Sequence, residues 1–334
     1  MPRPTLALLL TGLLLAVLPA TAARAQCTGD SFADLLTAAE RAEIAAEVAA
    51  APFAEGLFWQ ARKGEQALTL IGTMHAYDPR LPALMDRARP LLADADALLV
   101  EITPAEEQAM QDALAADPSR IVITDGPTLP ELLPTAIWQD LAEAAAARQI
   151  PAFMAAKMRP WYLTLSLAMP PCVMPDVMAG RRGLDHMIMQ EAEALGLPMR
   201  ALEPWETVLS IFSQSTMDEQ LEMLRLAVGP AELQAQSFVA MLDGYFAGRT
   251  AEIWAMSRIA TYRAPGTTRA EADAMFQLSA DALLTERNIA WMQEIAAAPE
   301  RDILIAVGAL HLPGETGLLR LLDQAGWDVT PLER

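Results

Sequence analysis

Three histidines stand in a chain of 334 residues, and two of them close the same phrase. LTLIGTMH (68–75) and ILIAVGALH (303–311) each run through an apolar stretch of strand length and then end in Gly-x-x-His, as Gly72-x-x-His75 and Gly308-x-x-His311. In open α/β sheets ligands bind where strands reach their carboxyl ends. A glycine there either takes backbone angles that other residues avoid or admits a second backbone at close range. Both glycines are therefore candidate binding-site residues, since each lets the chain aim an imidazole back over the strand end. Glu101 closes ALLVEI (97–102) in the equivalent way, and Glu203 follows the short run PMRALE (198–203). Two imidazoles and one or two carboxylates converging at sheet ends suit a divalent ion, Mn²⁺, Co²⁺ or Zn²⁺, with His75, Glu101 and His311 as its ligands.

Other chemistries have less to stand on. The chain holds no H-E-x-x-H, no G-x-S-x-G and no Gly-rich phosphate loop. Its 18 methionines are dispersed through helical segments, as core residues are. Cys27 and Cys172 are the only cysteines; two thiols in an exported chain pair, which leaves none for nucleophilic catalysis. Some polar residues have a plain reading on their own. Asp185, in GLDHM, stands where a helix begins and reads as its N-cap. The neighbouring His186 reads as structural, Arg287-Asn288 as part of a solvated helix face, and Asp78-Pro79 as a turn.

The elements that must carry these residues follow from the apolar pattern. Residues 1–25 have a basic start, an apolar stretch from about Leu6 to Leu18 and an A-x-A site at Ala23-Arg24-Ala25. These are the three parts of a signal peptide, with an apolar stretch too short to span a bilayer comfortably. Glutamine directly before Cys27 is a poor fit to a lipoprotein signal, so the expectation is a periplasmic or secreted protein beginning near residue 26. No later segment reaches 18 uninterrupted apolar residues, so no membrane span is expected in the mature chain. The formal charge of −19 repels nucleic-acid phosphate and sets nucleic-acid binding aside.

Beyond the leader, GLFWQARKGEQALTLIG reads as a hairpin turning at Lys63-Gly64. The order strand, helix, strand over residues 66–102 implies a parallel βαβ unit. Helical patterns follow over 128–149 and 157–169, PPCVMPDVMAGRRG reads as a loop, and about 205–300 is almost wholly helical. Thr216 and Glu219 have capping-box spacing there. The chain closes as strand, loop, helix, strand. The class expected is α/β: a central, mainly parallel sheet flanked by helices in one domain over 26–334, with a large helical insertion before the C-terminal strands.

With these residues in view, the chain resembles the TraB/GumN family, which includes the animal Tiki metalloproteases. The resemblance rests on LFWQARKGEQALTLIGTMHAYDPRLP, ALLVE, RPWYLTLSL, GLDHMIMQEAEALGLPMRALE, ERNIAWM and ILIAVGALHLPGETGLLRLL, in that order and spacing. It implies that His75, Glu101 and His311 match the paired Gly-x-x-His motifs and the acid of the family. Asp185 and Glu203 match its G-[LV]-D and L-E positions, and Arg287 with Asn288 its R-N pair. The implied fold is the one shared with erythromycin esterases and the ChaN haem-binding lipoproteins.

Three functions are compatible with this inventory. In a metal-dependent hydrolase of peptidase type, an ion on His75 and His311 would lower the pKa of bound water toward roughly 7. Glu101 or Glu203 would shuttle protons and Arg287 would stabilise the oxyanion, with Asn288 beside it. A metal-independent hydrolase would use a histidine as general base oriented by Glu101. A non-catalytic protein would capture a peptide or haem on the same histidines.

Overall fold

The structure is a computed structural model that describes residues 27, 29–213, 215–227, 229–263 and 267–332. The predicted leader lies outside them. Six strands form one sheet: β1 Phe58–Lys63, β2 Gln66–Thr73, β3 Ala97–Val100, β4 Met199–Ala201, β5 Asp302–Gly308 and β6 Asp328–Pro331, in the order β4-β3-β5-β2-β1-β6. The pairs β2·β5, β3·β5 and β3·β4 are parallel, while β1 pairs antiparallel with β2 and β6. The protein is thus an α/β protein with a mixed sheet whose centre is parallel.

The three central strands are buried on both faces, which is why they read as continuous apolar runs rather than as alternation. Leu98, Val100, Leu304, Ala306 and Ile71 point to one face, where the helices Leu81–Ala93, Leu184–Leu195 and Ala231–Phe246 pack. Leu68, Leu70, Leu99, Ile303, Ile305 and Val307 point to the other, against Glu286–Ala297 and Leu318–Gln324. The hairpin forms with Lys63 opposite Gln66 and Gly64 at φ 61°, the left-handed conformation that such a two-residue turn demands.

One feature adds to the sequence expectation and a second departs from it. Strands β2 and β3 are parallel and joined through the helix Leu81–Ala93, as the βαβ reading requires, without being neighbours. Strand β5, from the far end of the chain, inserts between them. Its two-sided apolar surface fits the most buried position in the sheet, and the two Gly-x-x-His phrases come to lie on adjacent strands. Secondly, the segment expected as a loop is helical in part, as one turn at Pro171–Val173 and the helix Met174–Met178. Both prolines there stand in a first turn, where a missing N–H costs nothing.

Between β4 and β5 the chain runs through helices Glu206–Ser213, Met217–Ala227, Ala231–Phe246, Thr250–Thr261, Arg269–Ala280 and Glu286–Ala297. Thr216 and Glu219 form the reciprocal bonds of a capping box before the second of these. Cys27 and Cys172 are bonded, with sulfurs 2.05 Å apart, and tie the beginning of the described chain to its middle. No helix among the described residues is long and apolar enough to cross a membrane.

Candidate functional site

Register decides which residues meet. Thr73 on β2 lies beside Gly308 on β5, and Val100 on β3 lies beside Ala306. His75, Glu101 and His311 each follow one of these strands by one to three residues, so all three rise from the same edge of the sheet. The charge of Glu101 is felt by both imidazoles.

The two glycines act by close approach. A side chain on Gly72 would press on the backbone of Ala309 at 3.0 Å, and one on Gly308 would meet Glu101 Oε1 at 3.2 Å and the His311 ring at 3.5 Å. Neither takes a positive φ. Gly308 also donates its N–H to Glu101 Oε1 at 2.7 Å, so the strand end itself orients that carboxylate.

His311 is held in one tautomer. Asn288 donates its amide Nδ2 to the carbonyls of His311 and Thr316, which leaves Asn288 Oδ1 as the acceptor facing His311 Nδ1 at 2.7 Å. The ring proton is therefore on Nδ1 and the lone pair on Nε2. Burial pushes this imidazole down to about 4, against the opposing pull of Glu101 and with the help of Arg287, so it is neutral at pH 7. The Trp291 ring lies 4.4 Å from it, tilted by 38°.

Arg287 is the hub of the buried half. Its Nε and Nη2 grip Glu203 at 2.6–3.1 Å, Nη2 also reaches Glu101 Oε2 at 2.7 Å, and Nη1 lies 3.3 Å from His311 Nε2. Trp291 donates to the second oxygen of Glu203 at 3.0 Å. Burial would raise the Glu101 carboxyl, but His311, His75, Arg287 and the Gly308 N–H outweigh it and hold it down at about 2. Arg287, Asn288 and Trp291 come from one buried face of the helix Glu286–Ala297, not from a solvated face. The preceding residues, Asp281–Thr285, form a widened i→i+5 turn, a feature frequent at functional sites.

The other half is open. His75 exposes 68% of its side chain and sets Nδ1 2.7 Å from Asp185 Oδ2. Asp185 is not the N-cap it was expected to be: Gly183 caps the helix, and the aspartate in its first turn is turned onto His75 and His186. The hydrogen bond to Asp185 pushes the His75 imidazole up to about 9, with desolvation opposing; water around so exposed a ring moderates the size of the shift but not its sign.

Several further residues join the site. His186 hydrogen-bonds Asp185 through Nδ1 at 3.1 Å and forms an ion pair with Glu107, Nε2 to Oε1 2.9 Å, which extends a chain Glu107–His186–Asp185–His75 away from the sheet. Gly183 lets the helix start approach the His75 backbone, where a Cβ would fall 1.9 Å from Met74 O. Tyr245 donates to Gly72 O at 3.0 Å. The adjacency of His186 to the Gly-Leu-Asp phrase was the one available hint; Glu107, Trp291 and Tyr245 are joined to the site only by folding.

The ion expected on His75, Glu101 and His311 can be tested on this geometry. Among the described residues no group of three or more His, Cys, Asp or Glu side chains is gathered to hold a metal ion. Both Glu101 oxygens are engaged, and the Arg287 guanidinium already stands at His311 Nε2 and Glu101 Oε2, where it would repel a second cation. As folded, the donor set does not fit a resident divalent ion.

An α/β sheet that gathers two anchored imidazoles, two carboxylates and a guanidinium at the carboxyl ends of its parallel strands defines a class of protein with a polar site on a rigid strand edge. This chain matches the TraB/PrgY/gumN family over residues 57–331, most of its length, and belongs to that family. Comparison with curated proteins gives no match.

Proposed function

We propose that the chain is an exported hydrolase acting on peptide or related carbonyl bonds, with its reaction site between His75 and His311. One observation carries this reading. The two imidazoles rise from adjacent parallel strands, each anchored through Nδ1; Nε2 of His75 turns to the open side, and Nε2 of His311 has Arg287 Nη1 at a long 3.3 Å, a contact that an attacking water would have to take over. Their surroundings drive them to opposite charge states, which is how an acid and a base are assigned within one site. Neutral His311 is the proton acceptor for an attacking water, and protonated His75, the more open ring, delivers a proton to the leaving group. Arg287 and the Gly308 N–H hold Glu101 in place as the anion between them. Export to an oxidising compartment is supported by the bonded cysteine pair.

No step is assigned to a metal, because the guanidinium occupies the place a cation would need. The experiment is elemental analysis of protein purified without a histidine tag, with turnover of a mixed peptide substrate before and after exhaustive chelation. Turnover that survives chelation and is abolished in His75→Gln and His311→Gln supports the proposal. Turnover lost on chelation and restored by one divalent ion overturns it in favour of a metallopeptidase. Tight binding of peptide or haem recovered unchanged would make the protein a binder instead.

A further inference from the structure

A cavity of about 310 Å³ opens beside the loop that follows His75, and none of His75, Glu101 or His311 lines it. It is nonetheless tied to the strand end that carries His75. One wall is Tyr77 to Arg80, which begins two residues after the imidazole. The facing wall is the helix Ala231–Phe246, whose Tyr245 hydroxyl is bonded to the carbonyl of Gly72, the glycine of the first Gly-x-x-His phrase. The disulfide closes a third side through Cys27 and Cys172.

The walls are of two kinds. Phe238 and Leu242 supply an apolar surface from the helix, and Tyr77 an aromatic ring from the loop. The charges are mostly acidic: Asp78, Asp176 and Asp243 against Arg80 alone among the lining residues. Arg80 is already committed. Asp78, itself buried, accepts from the Arg80 backbone N–H, Nε and Nη2 at 2.9–3.0 Å, and the Arg80 guanidinium carbon lies over the Phe246 ring, 3.9 Å from its centroid. Asp176 is paired with Arg181 at 2.7 Å. Asp243 has the weakest partner, Arg80 Nη1 at 3.6 Å, and exposes 55% of its side chain at the rim. It is the carboxylate with the most unused acceptor capacity.

We infer that this cavity is a substrate subsite for a lysine or arginine side chain of a peptide, its aliphatic stem on Phe238 and Leu242 and its charged head at Asp243. Long basic side chains bury their methylenes against apolar surface while their charge stays at a polar rim, the pattern these walls present. An acidic chain, with a formal charge of −19, also draws a basic peptide to its surface by long-range attraction. The inference rests on the hydrolase reading and makes it specific: the bond presented at the histidines belongs to a peptide with a basic residue close by.

The test uses three probes, acetyl-Ala-Ala-Lys-Ala-Ala-amide and its counterparts with norleucine or glutamate in place of lysine. Each is titrated calorimetrically into the whole mature protein and, separately, assayed for cleavage. The expected result is at least tenfold tighter binding of the lysine peptide than of the norleucine peptide, with the glutamate peptide weakest. Asp243→Asn, a change at an exposed position, should bring lysine and norleucine to within threefold, and Asp176→Asn should have a smaller effect. Equal binding of all three peptides, or a lysine preference untouched by Asp243→Asn, overturns the subsite. Lysine-selective binding without cleavage keeps the subsite and removes the hydrolase, whereas cleavage indifferent to lysine does the reverse.

Discussion

Arg287 Nη1 lies 3.3 Å from His311 Nε2, and the same guanidinium is clasped by Glu203 and Glu101. A buried cation between two carboxylates is a unit that cannot be dismantled from one side, because the partner left behind keeps its desolvation cost without its counter-charge. Arg287→Met should lower the unfolding free energy by about 3 to 5 kcal/mol, read from urea denaturation. Arg287→Lys keeps the charge but cannot match a planar fork to two acids. It should recover part of that stability while activity stays low. A lysine variant with full activity would show that the fork geometry is dispensable.

The three imidazoles predict a stability maximum near pH 6.5, approached from opposite sides. The folded-state value of His311, about 4, lies below its ordinary value of 6.5. Between pH 4 and 6.5 the unfolded chain therefore binds more protons at this residue, and stability rises with pH by about 3 kcal/mol. For His75 and His186 the folded values, about 9, lie above the ordinary value. Their contribution is complete below pH 6.5 and is lost as pH rises through 9. Unfolding free energy measured across pH 4 to 10 checks both limbs. His311→Gln should flatten the upper part of the acid limb, between about pH 6.5 and 5.5, before ordinary carboxylates protonate to any extent, and leave the alkaline limb intact.

The strand ends were legible because strands buried on both faces leave long apolar runs, and each run stops where its polar residue emerges. His75, Glu101 and His311 could be placed that way; Glu203 follows the short, half-buried edge strand β4. Arg287 and Asn288 could not. They lie on a helix whose exposed face carries the usual charges, and only the packing of Trp291 and Ile295 beside them reveals that their own face is inside. The role of Asp185 was misread for a related reason: an acid at a helix start has a local use that the sequence advertises, and the partner that outcompetes it, His75, is 110 residues away. The insertion of β5 between β2 and β3 is equally non-local: its two-sided apolar run marks it as a central strand but does not encode which neighbours it takes.

Asp185 Oδ2 serves two imidazoles at once, His75 at 2.7 Å and His186 at 3.1 Å. Asp185→Asn preserves the size of the side chain and an acceptor oxygen but removes the charge that keeps both rings protonated. With only three histidines in the chain, their ring protons can be followed individually by NMR. The midpoint of His75 should fall from about 9 toward its ordinary value, and turnover at neutral pH should drop by about 10²-fold or more as the general acid is lost. An unmoved midpoint would place the origin of the shift elsewhere.

The cysteine pair closes a loop of sequence separation 145. In the chain-entropy account a crosslink over so long a span restricts the unfolded state by about 4 to 5 kcal/mol. Denaturation with and without reductant, or of Cys172→Ser, should show a loss of that order. The cavity beside His75 should also bind peptide less well, because the bridge forms part of its wall.

Gly183 and Gly308 are both needed for close approach, but to different degrees, and the difference makes a controlled comparison. A Cβ on Gly183 would fall 1.9 Å from Met74 O and 2.6 Å from His75 Cα. Both are backbone atoms, fixed by the sheet on one side and by the Leu184 N–H bond to Met74 O on the other. Gly183→Ala must therefore push the helix Leu184–Leu195 off the strand end, carrying Asp185 away from His75, at about 3 kcal/mol or somewhat more. On Gly308 the nearest atom is the Glu101 carboxylate at 3.2 Å, a side chain that can yield by a few tenths of an ångström. Gly308→Ala should leave the thermal midpoint within a few degrees of the parent while disturbing the Glu101–Arg287 contact and hence turnover. Melting curves and assays on the two variants separate the cases: Gly183→Ala loses fold and activity together, and Gly308→Ala loses activity first.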